Sequence, residues 1–212
     1  MKIATWNIQH RSGGKALEYI SSINPDIICL QELNKPSEVL DSKYKWYFSP
    51  TSEGWGNLFA SQYPMSAVYT EDKDFVGRVQ SIVVTTPLKK KITIANIHVP
   101  ITKGYARHNL SGIFEIVFQK KETESIIVSG DFNFGLFFDE KYFEDILGKY
   151  NLIDCDNKPS FIGNRRTKNA IQIDHIVYSS TLKEQFIEAK TIDSTEINSM
   201  SDHRPIIAEF NI

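Results

Sequence analysis

The feature that most constrains this chain is a repeated one. Short apolar runs with strand character are each closed or interrupted by a residue that can do chemistry. IATWN closes on Asn7, IICLQE on Gln31 and Glu32, and ITIANIH carries Asn96 and His98. IIVSG runs into Asp131 and Asn133, Asp174 interrupts IQIDHIV, and Asp202 and His203 stand just before the last strand-like run. Apolar strands must be buried, so their polar ends gather where the chain leaves the core. Loops at one rim of a sheet scaffold are the usual place for a site.

The order of elements narrows the fold. KIATWNI and DIICLQE read as strands, and GGKALEYISSINP between them has helical spacing at Leu17, Ile20 and Ser21 until Asn24-Pro25 ends it. A polar, aromatic stretch follows to about Trp55. NLFASQYP, MSAVYT, GRVQSIVVTTP and KKITIANIHV then come at short intervals as a run of strands, with a hairpin loop expected over Pro87 to Lys91. Residues 109–120 place Leu110, Ile113, Phe114, Val117 and Phe118 on one helical face. SIIVSGDFN reads as a buried strand, 139–149 as a helix, and AIQIDHIVYS and RPIIAEFNI as closing strands. With no linker or repeat, this predicts one α/β domain over 1–212: two mixed β-sheets packed face to face with helices outside.

Composition excludes several classes. No apolar run approaches the ~20 residues of a membrane span. Met1-Lys2 leads at once into IATWNIQH, which turns polar too soon for a signal sequence. Cys29 and Cys155 are too few for a disulfide framework. A cytoplasmic, monomeric protein is expected. The net charge of −2 gives no overall basic footprint for nucleic acid, although local clusters remain open.

Taken singly, each polar residue has a plain structural reading as a turn, a cap or a satisfied core group. Asp174 is harder to dismiss, because a carboxylate in an apolar strand needs a partner, and His203 is the candidate. Asn7, Glu32 and Asp202 offer only oxygen, which suits Mg²⁺ or Mn²⁺. No cysteine–histidine set suits zinc, and no G-x-x-x-x-G-K-[ST] loop is present. The set suits attack of water on a phosphate ester, with the metal and His203 neutralising phosphate charge and Asp131 orienting or deprotonating the water. Adjacent residues on a strand point apart, so Asp202 and His203 need to lie in loop. Pro205 disfavours helix before it and cannot join a central ladder, so the strand is expected to start after it. Asp202 is then expected on the metal side with Glu32 and Asn7, and His203 within hydrogen-bond range of Asp174.

Taken together, TWNI (5–8), LQEL (30–33), GNLFASQYPM (56–65), NIHVP (96–100), SGDFN (129–133), IDHI (173–176) and SDHRPI (201–206) give a chain that resembles the endonuclease/exonuclease/phosphatase family along nearly its whole length. The resemblance implies a four-layer α/β sandwich of the DNase I type with its site at one rim. It implies Glu32 as the main metal ligand, helped by Asn7 and Asp202. Asp131 would activate water, Asn133 would support it and touch the phosphate, His203 held by Asp174 would contact the scissile phosphate, and His98 would be a second contact. Ile171-Gln172 before Asp174 departs from the tryptophan usual in abasic-site endonucleases, and Phe134-Gly135 departs from the arginine of inositol phosphatases.

Three stretches are candidates for substrate contact: 163–169 with Arg165, Arg166 and Lys168, 102–108 with Tyr105 and Arg107, and 10–14 after Asn7. Lys89 to Lys91 is expected to be a solvent-facing turn, and His175 to be structural. The expected activity is Mg²⁺- or Mn²⁺-dependent cleavage of DNA or RNA. A phosphatase for a small phosphoester or lipid headgroup, or a non-catalytic module of the same fold, is the alternative.

Overall fold

Two strand–helix–strand units lie at the centre of the molecule, one in each of two sheets. The computed structural model describes residues 1–10, 14–34, 42–69, 73–101, 106–134, 140–155, 158–162 and 170–212. The elements run β1 (Lys2–Asn7), α1 (Gly14–Ser22), β2 (Ile27–Asn34), β3 (Lys45–Pro50), β4 (Trp55–Ser61), β5 (Met65–Tyr69), β6 (Val79–Thr85) and β7 (Lys91–His98). They continue with α2 (Ala106–Lys120), β8 (Ile126–Asp131), α3 (Glu140–Tyr150), β9 (Leu152–Asp154), β10 (Asp174–Ser179), a 3-10 helix (Ser180–Gln185), β11 (Phe186–Thr191), α4 (Thr195–Met200) and β12 (Ile206–Phe210).

One sheet has the order β11-β12-β1-β2-β4-β3 and the other β5-β6-β7-β8-β10-β9. Parallel neighbours need a long crossover, and α1 and α2 supply it for β1–β2 and β7–β8. The other pairings are antiparallel. Strand alternation then sorts the apolar residues into three layers of core. Ile3, Cys29, Phe59, Ile94, Ile127 and Ile176 fill the space between the sheets. Trp6, Leu30 and Leu58 face α1 and α4, whose Leu17, Ile20, Ile197 and Met200 cover them. Ala95, Val128 and Val177 face α2 and α3 through Leu110, Phe114, Val117, Phe143 and Ile146. The result is helix, sheet, sheet, helix: the four-layer sandwich expected from the sequence.

This topology decides where polar strand ends meet. β1 and β2 finish together, with Asn7 opposite Gln31, and β7 and β8 finish together, with His98 opposite Asp131. β10 and β12 run antiparallel to β8 and β1 and so begin at the same rim. In register, Asp174 is the partner of Asp131. The β7–β8 approach depends on Gly130, which has φ +140°, and a Cβ there would lie 1.9 Å from the Ile97 carbonyl oxygen.

Some elements were not expected. β3 lies in the polar, aromatic stretch, and β9, the 3-10 helix, β11 and α4 lie outside every run with a clear period. β3 and β11 are sheet edges, half-exposed along their length, so neither shows a two-residue alternation. The strand read over AIQIDHIVYS is shorter than expected. β10 begins at Asp174, where its partner strand β8 ends, so Asp174 opens a strand and does not interrupt one. β12 begins after Pro205, as the proline argument requires. No helix among the described residues is long and apolar enough to cross a membrane.

Candidate active site

Asp174 and His203 meet at the rim. His203 Nδ1 lies 2.8 Å from Asp174 Oδ2, within the range expected from the sequence, and both side chains are buried. The loop before β12 is built for this. Ser201 Oγ donates to the Asn7 carbonyl at 2.8 Å and accepts the His203 N–H at 3.0 Å. Trp6 Nε1 holds the His203 carbonyl, and the Phe161 ring packs edge-on against the imidazole at 5.1 Å. Ser160 Oγ accepts the Asp174 N–H. Asp202 takes a separate route: its Oδ2 accepts from Gln9 Nε2 at 3.1 Å, and its Oδ1 is 3.8 Å from His203 Nε2.

Glu32 reaches the rim through a bulge. Gln31 and Glu32 would face opposite sides of a regular strand. Here the β2–β4 register shifts between Leu30 and Leu33, and Glu32 has φ 56°. Gln31 turns between the sheets, donating to Thr5 and Asn96, while Glu32 turns to the site. A non-glycine residue at positive φ costs about 1–3 kcal/mol, so the surrounding contacts must hold it there. They are close at hand. Asn7 Nδ2 donates to Glu32 Oε1 at 3.1 Å and to Asp131 Oδ2 at 2.9 Å, tying the two sheets together. His10 Nε2 lies 2.9 Å from Glu32 Oε2, and His98 Nε2 lies 3.4 Å from Glu32 Oε1 and 3.8 Å from Asp131 Oδ2.

Asp131 is fixed from behind. Asn133, itself at φ 49°, donates its backbone N–H to Asp131 Oδ1 at 2.8 Å and its Nδ2 to the Val99 carbonyl at 2.7 Å. Burial and then the charge of Asp174 push the Asp131 carboxyl up to about 7. Burial alone would depress His203, but the charge and hydrogen bond of Asp174, with Asp131 and Asp202 beyond, hold the imidazole up at about 10. His98 goes the other way: burial, then the charge of Arg78, hold it well below the ordinary histidine value.

Among the described residues, two groupings bring three possible ligand atoms within 4.8 Å of one another: Glu32, His98 and Asp131, and Asp131, Asp174 and His203. In the second, Asp174 is already committed to a cationic histidine. The first is the grouping whose carboxylates could hold a cation. Asp202 belongs to neither, and Asn7 turns its nitrogen to the carboxylates while its oxygen accepts the Gln9 N–H at 2.9 Å. The Asn133 amide faces Val99 where a phosphate contact was expected. Arg107 rests over the Tyr142 ring at 5.1 Å. Tyr105, Arg165, Arg166 and Lys168 lie outside the described residues. His175 sits with Phe132, Phe134 and Phe143, its Nδ1 2.9 Å from Asp154.

Two residues at the site were missed from the sequence. Trp55 stacks edge-on to His10 at 4.7 Å, and Arg78 lies over the Trp55 ring at 4.6 Å with Nη1 3.2 Å from His98 Nδ1. The hairpin register was the signal for Arg78. Val79 pairs with Ile97 across β6 and β7, so the residue before Val79 falls opposite His98.

Solved structures share this architecture. An AP endonuclease from Archaeoglobus fulgidus and the 3' phosphatase NExo from Neisseria, bound to a product DNA hairpin, each superpose with a TM-score of 0.77 at 18% identity over 100% of both chains. A humanized D. rerio TDP2 gives 0.78 at 15% identity over 100% of this chain and 99% of its own. No curated protein sequence matches the chain. The model of the endonuclease/exonuclease/phosphatase family matches residues 4–203, and with the motifs and the rim they build, the chain belongs to that family of phosphoric ester hydrolases.

Proposed function

We propose that this protein is a divalent-metal-dependent phosphodiesterase acting on nucleic acid, as a single, monomeric catalytic domain. The observation that carries the reading is the union, at one rim, of Glu32 beside Asp131 with a cationic His203 held by Asp174. The residues fit a hard cation. Glu32 and Asp131 converge on one amide nitrogen of Asn7, and burial, then the charge of Asp174, raises the Asp131 carboxyl, which a cation bound beside it would offset. Bound there, Mg²⁺ or Mn²⁺ would supply Lewis-acid polarisation of the phosphate and screen its charge.

Glu32 is the principal ligand. Asn7 sets the spacing of Glu32 and Asp131, and Asp202 joins that side through Gln9. Asp131 orients the attacking water and takes its proton, a role that its carboxyl near neutral pH suits. Asn133 pins one Asp131 oxygen and leaves the other toward the site. His203 donates its Nε2–H to a phosphate oxygen and offsets its charge, and His98 is a second donor. Tyr105, Arg107, Arg165, Arg166 and Lys168 are proposed contacts along the substrate. The similar fold bound to a DNA hairpin favours nucleic acid over a small ester.

Hydrolysis of bis-p-nitrophenyl phosphate and of plasmid DNA, with Mg²⁺ or Mn²⁺ against chelator, tests the reading. Turnover is expected only with metal. Glu32→Gln and His203→Ala should each lower it by about a hundredfold or more. Turnover surviving both substitutions would overturn the assignment. DNA cleavage should also weaken steeply with salt, whereas a shallow slope would point to a small phosphoester.

A further inference from the structure

Arg78 has no place in the scheme above, yet it touches His98. Its Nη1 lies 3.2 Å from His98 Nδ1, and its guanidinium carbon sits over the Trp55 ring at 4.6 Å, with Trp55 Nε1 tied to Glu53. The Arg78 backbone is fixed as well, its carbonyl accepting from His98 N at 2.8 Å and Asn57 Nδ2 at 3.0 Å. A guanidinium carries donors and no acceptor. His98 Nδ1 must therefore accept, and it carries no proton. A neutral imidazole keeps one N–H, so that proton is on Nε2. The far side of the ring agrees. Nε2 faces Glu32 Oε1 at 3.4 Å and Asp131 Oδ2 at 3.8 Å, both acceptors. The other tautomer would set N–H against N–H on one side and a lone pair against two carboxylates on the other.

We propose that Arg78 is a positioning residue: it fixes His98 as a neutral donor with its Nε2–H aimed between Glu32 and Asp131. Two consequences follow. A ring nitrogen that carries a proton cannot ligate a metal, so His98 is excluded from the ligand set although it lies within reach. A cation at Glu32 and Asp131 then meets oxygen there and not the His98 imidazole, which favours a hard ion. The same N–H is the donor that a phosphate oxygen would meet, a clause that rests on the phosphodiesterase reading.

Nitrogen NMR of the full chain labelled with ¹⁵N-histidine, metal-free and at mildly alkaline pH, decides the tautomer. His98, assigned by its loss in His98→Gln, is expected to show an unprotonated Nδ1 and a protonated Nε2. Arg78→Met should shift it toward the Nδ1–H form, and Arg78→Lys, which restores a donor, should return it. In bis-p-nitrophenyl phosphate hydrolysis Arg78→Met should lower kcat by about a hundredfold with KM little changed, the order of one lost donor to the transition state. In a His98→Ala background the same substitution should cost under about threefold, because the two act as one unit. A wild-type Nδ1–H tautomer, or losses that simply add, would overturn the proposal. If no ester is hydrolysed the phosphodiesterase reading fails, while the wild-type spectrum alone still decides the role of Arg78.

Discussion

Asp174 decides what His203 can be. Its Oδ2 holds Nδ1 of the ring, while its buried Oδ1 has no hydrogen-bond partner among the described residues. The negative charge is what keeps the imidazole protonated, and Asn at this position would keep the shape and remove the charge. Asp174→Asn is therefore expected to lower kcat for bis-p-nitrophenyl phosphate by about 10²- to 10³-fold. The ¹⁵N spectrum should show His203 losing a proton near neutral pH. Turnover within a few-fold of wild type would mean that His203 works without its charge. This pair was legible in the sequence because a carboxylate among apolar residues must find a partner. Arg78 and Trp55 were not, since an arginine or tryptophan beside a turn reads as surface until the hairpin register is known. Nor does a sequence say which end of an amide faces inward. Asn7 and Asn133 were recognised as site residues, but Asn7 presents nitrogen to the carboxylates and Asn133 spends its amide on Val99.

At the scale of the element, the site is made by departures from regular strand. The bulge that turns Glu32 to the rim interrupts the β2–β4 ladder, and the glycine that lets β7 and β8 close on each other takes a left-handed φ within an unbroken one. Gly130→Ala should separate the strands where His98 and Asp131 pair, because the added methyl meets backbone that cannot move aside. A loss of about 3 kcal/mol or more is expected from φ strain and overlap together, read by urea unfolding. Gly148→Ala in α3 is the matching control. Nothing lies within 4 Å of its would-be Cβ, and the gain in helix propensity should stabilise by about 0.5–1 kcal/mol. If the two substitutions shifted stability alike, the close approach at Gly130 would not matter. The apolar central strands could be read from composition and period alone. The edges β3 and β11 could not, since half-exposed strands have no buried face to impose a period.

For the whole molecule, the two sheets repeat one plan. Each has a parallel pair bridged by a helix, with two antiparallel strands on either side of it. Packing them face to face brings the finishing ends of both pairs together, which gathers carboxylates from both sheets into one buried place. That arrangement has a cost that depends on pH. Asp131 is raised from 3.8 to about 7, so the folded state keeps a proton that the unfolded chain releases. Its contribution is present in acid and is lost as pH rises through about 7. His203 is raised from 6.5 to about 10, so its contribution is complete below 6.5 and is lost as pH climbs toward about 10. Both groups bind more protons when folded, and both therefore make metal-free stability fall with rising pH. Thermal melts in chelator from about pH 5 to 10 should show a steady decline across that window. Asp131→Asn should remove the part below about pH 6.5 and leave the His203 decline, made smaller by loss of the Asp131 charge, from there to about pH 10. Mg²⁺ or Mn²⁺ binds the ionised carboxylates, so added metal should raise the melting temperature most at the alkaline end and flatten the profile. A metal-free profile that stays level or rises through neutrality would show that the charges at the rim are balanced without a cation, and the case for a metal at Glu32 and Asp131 would go with it.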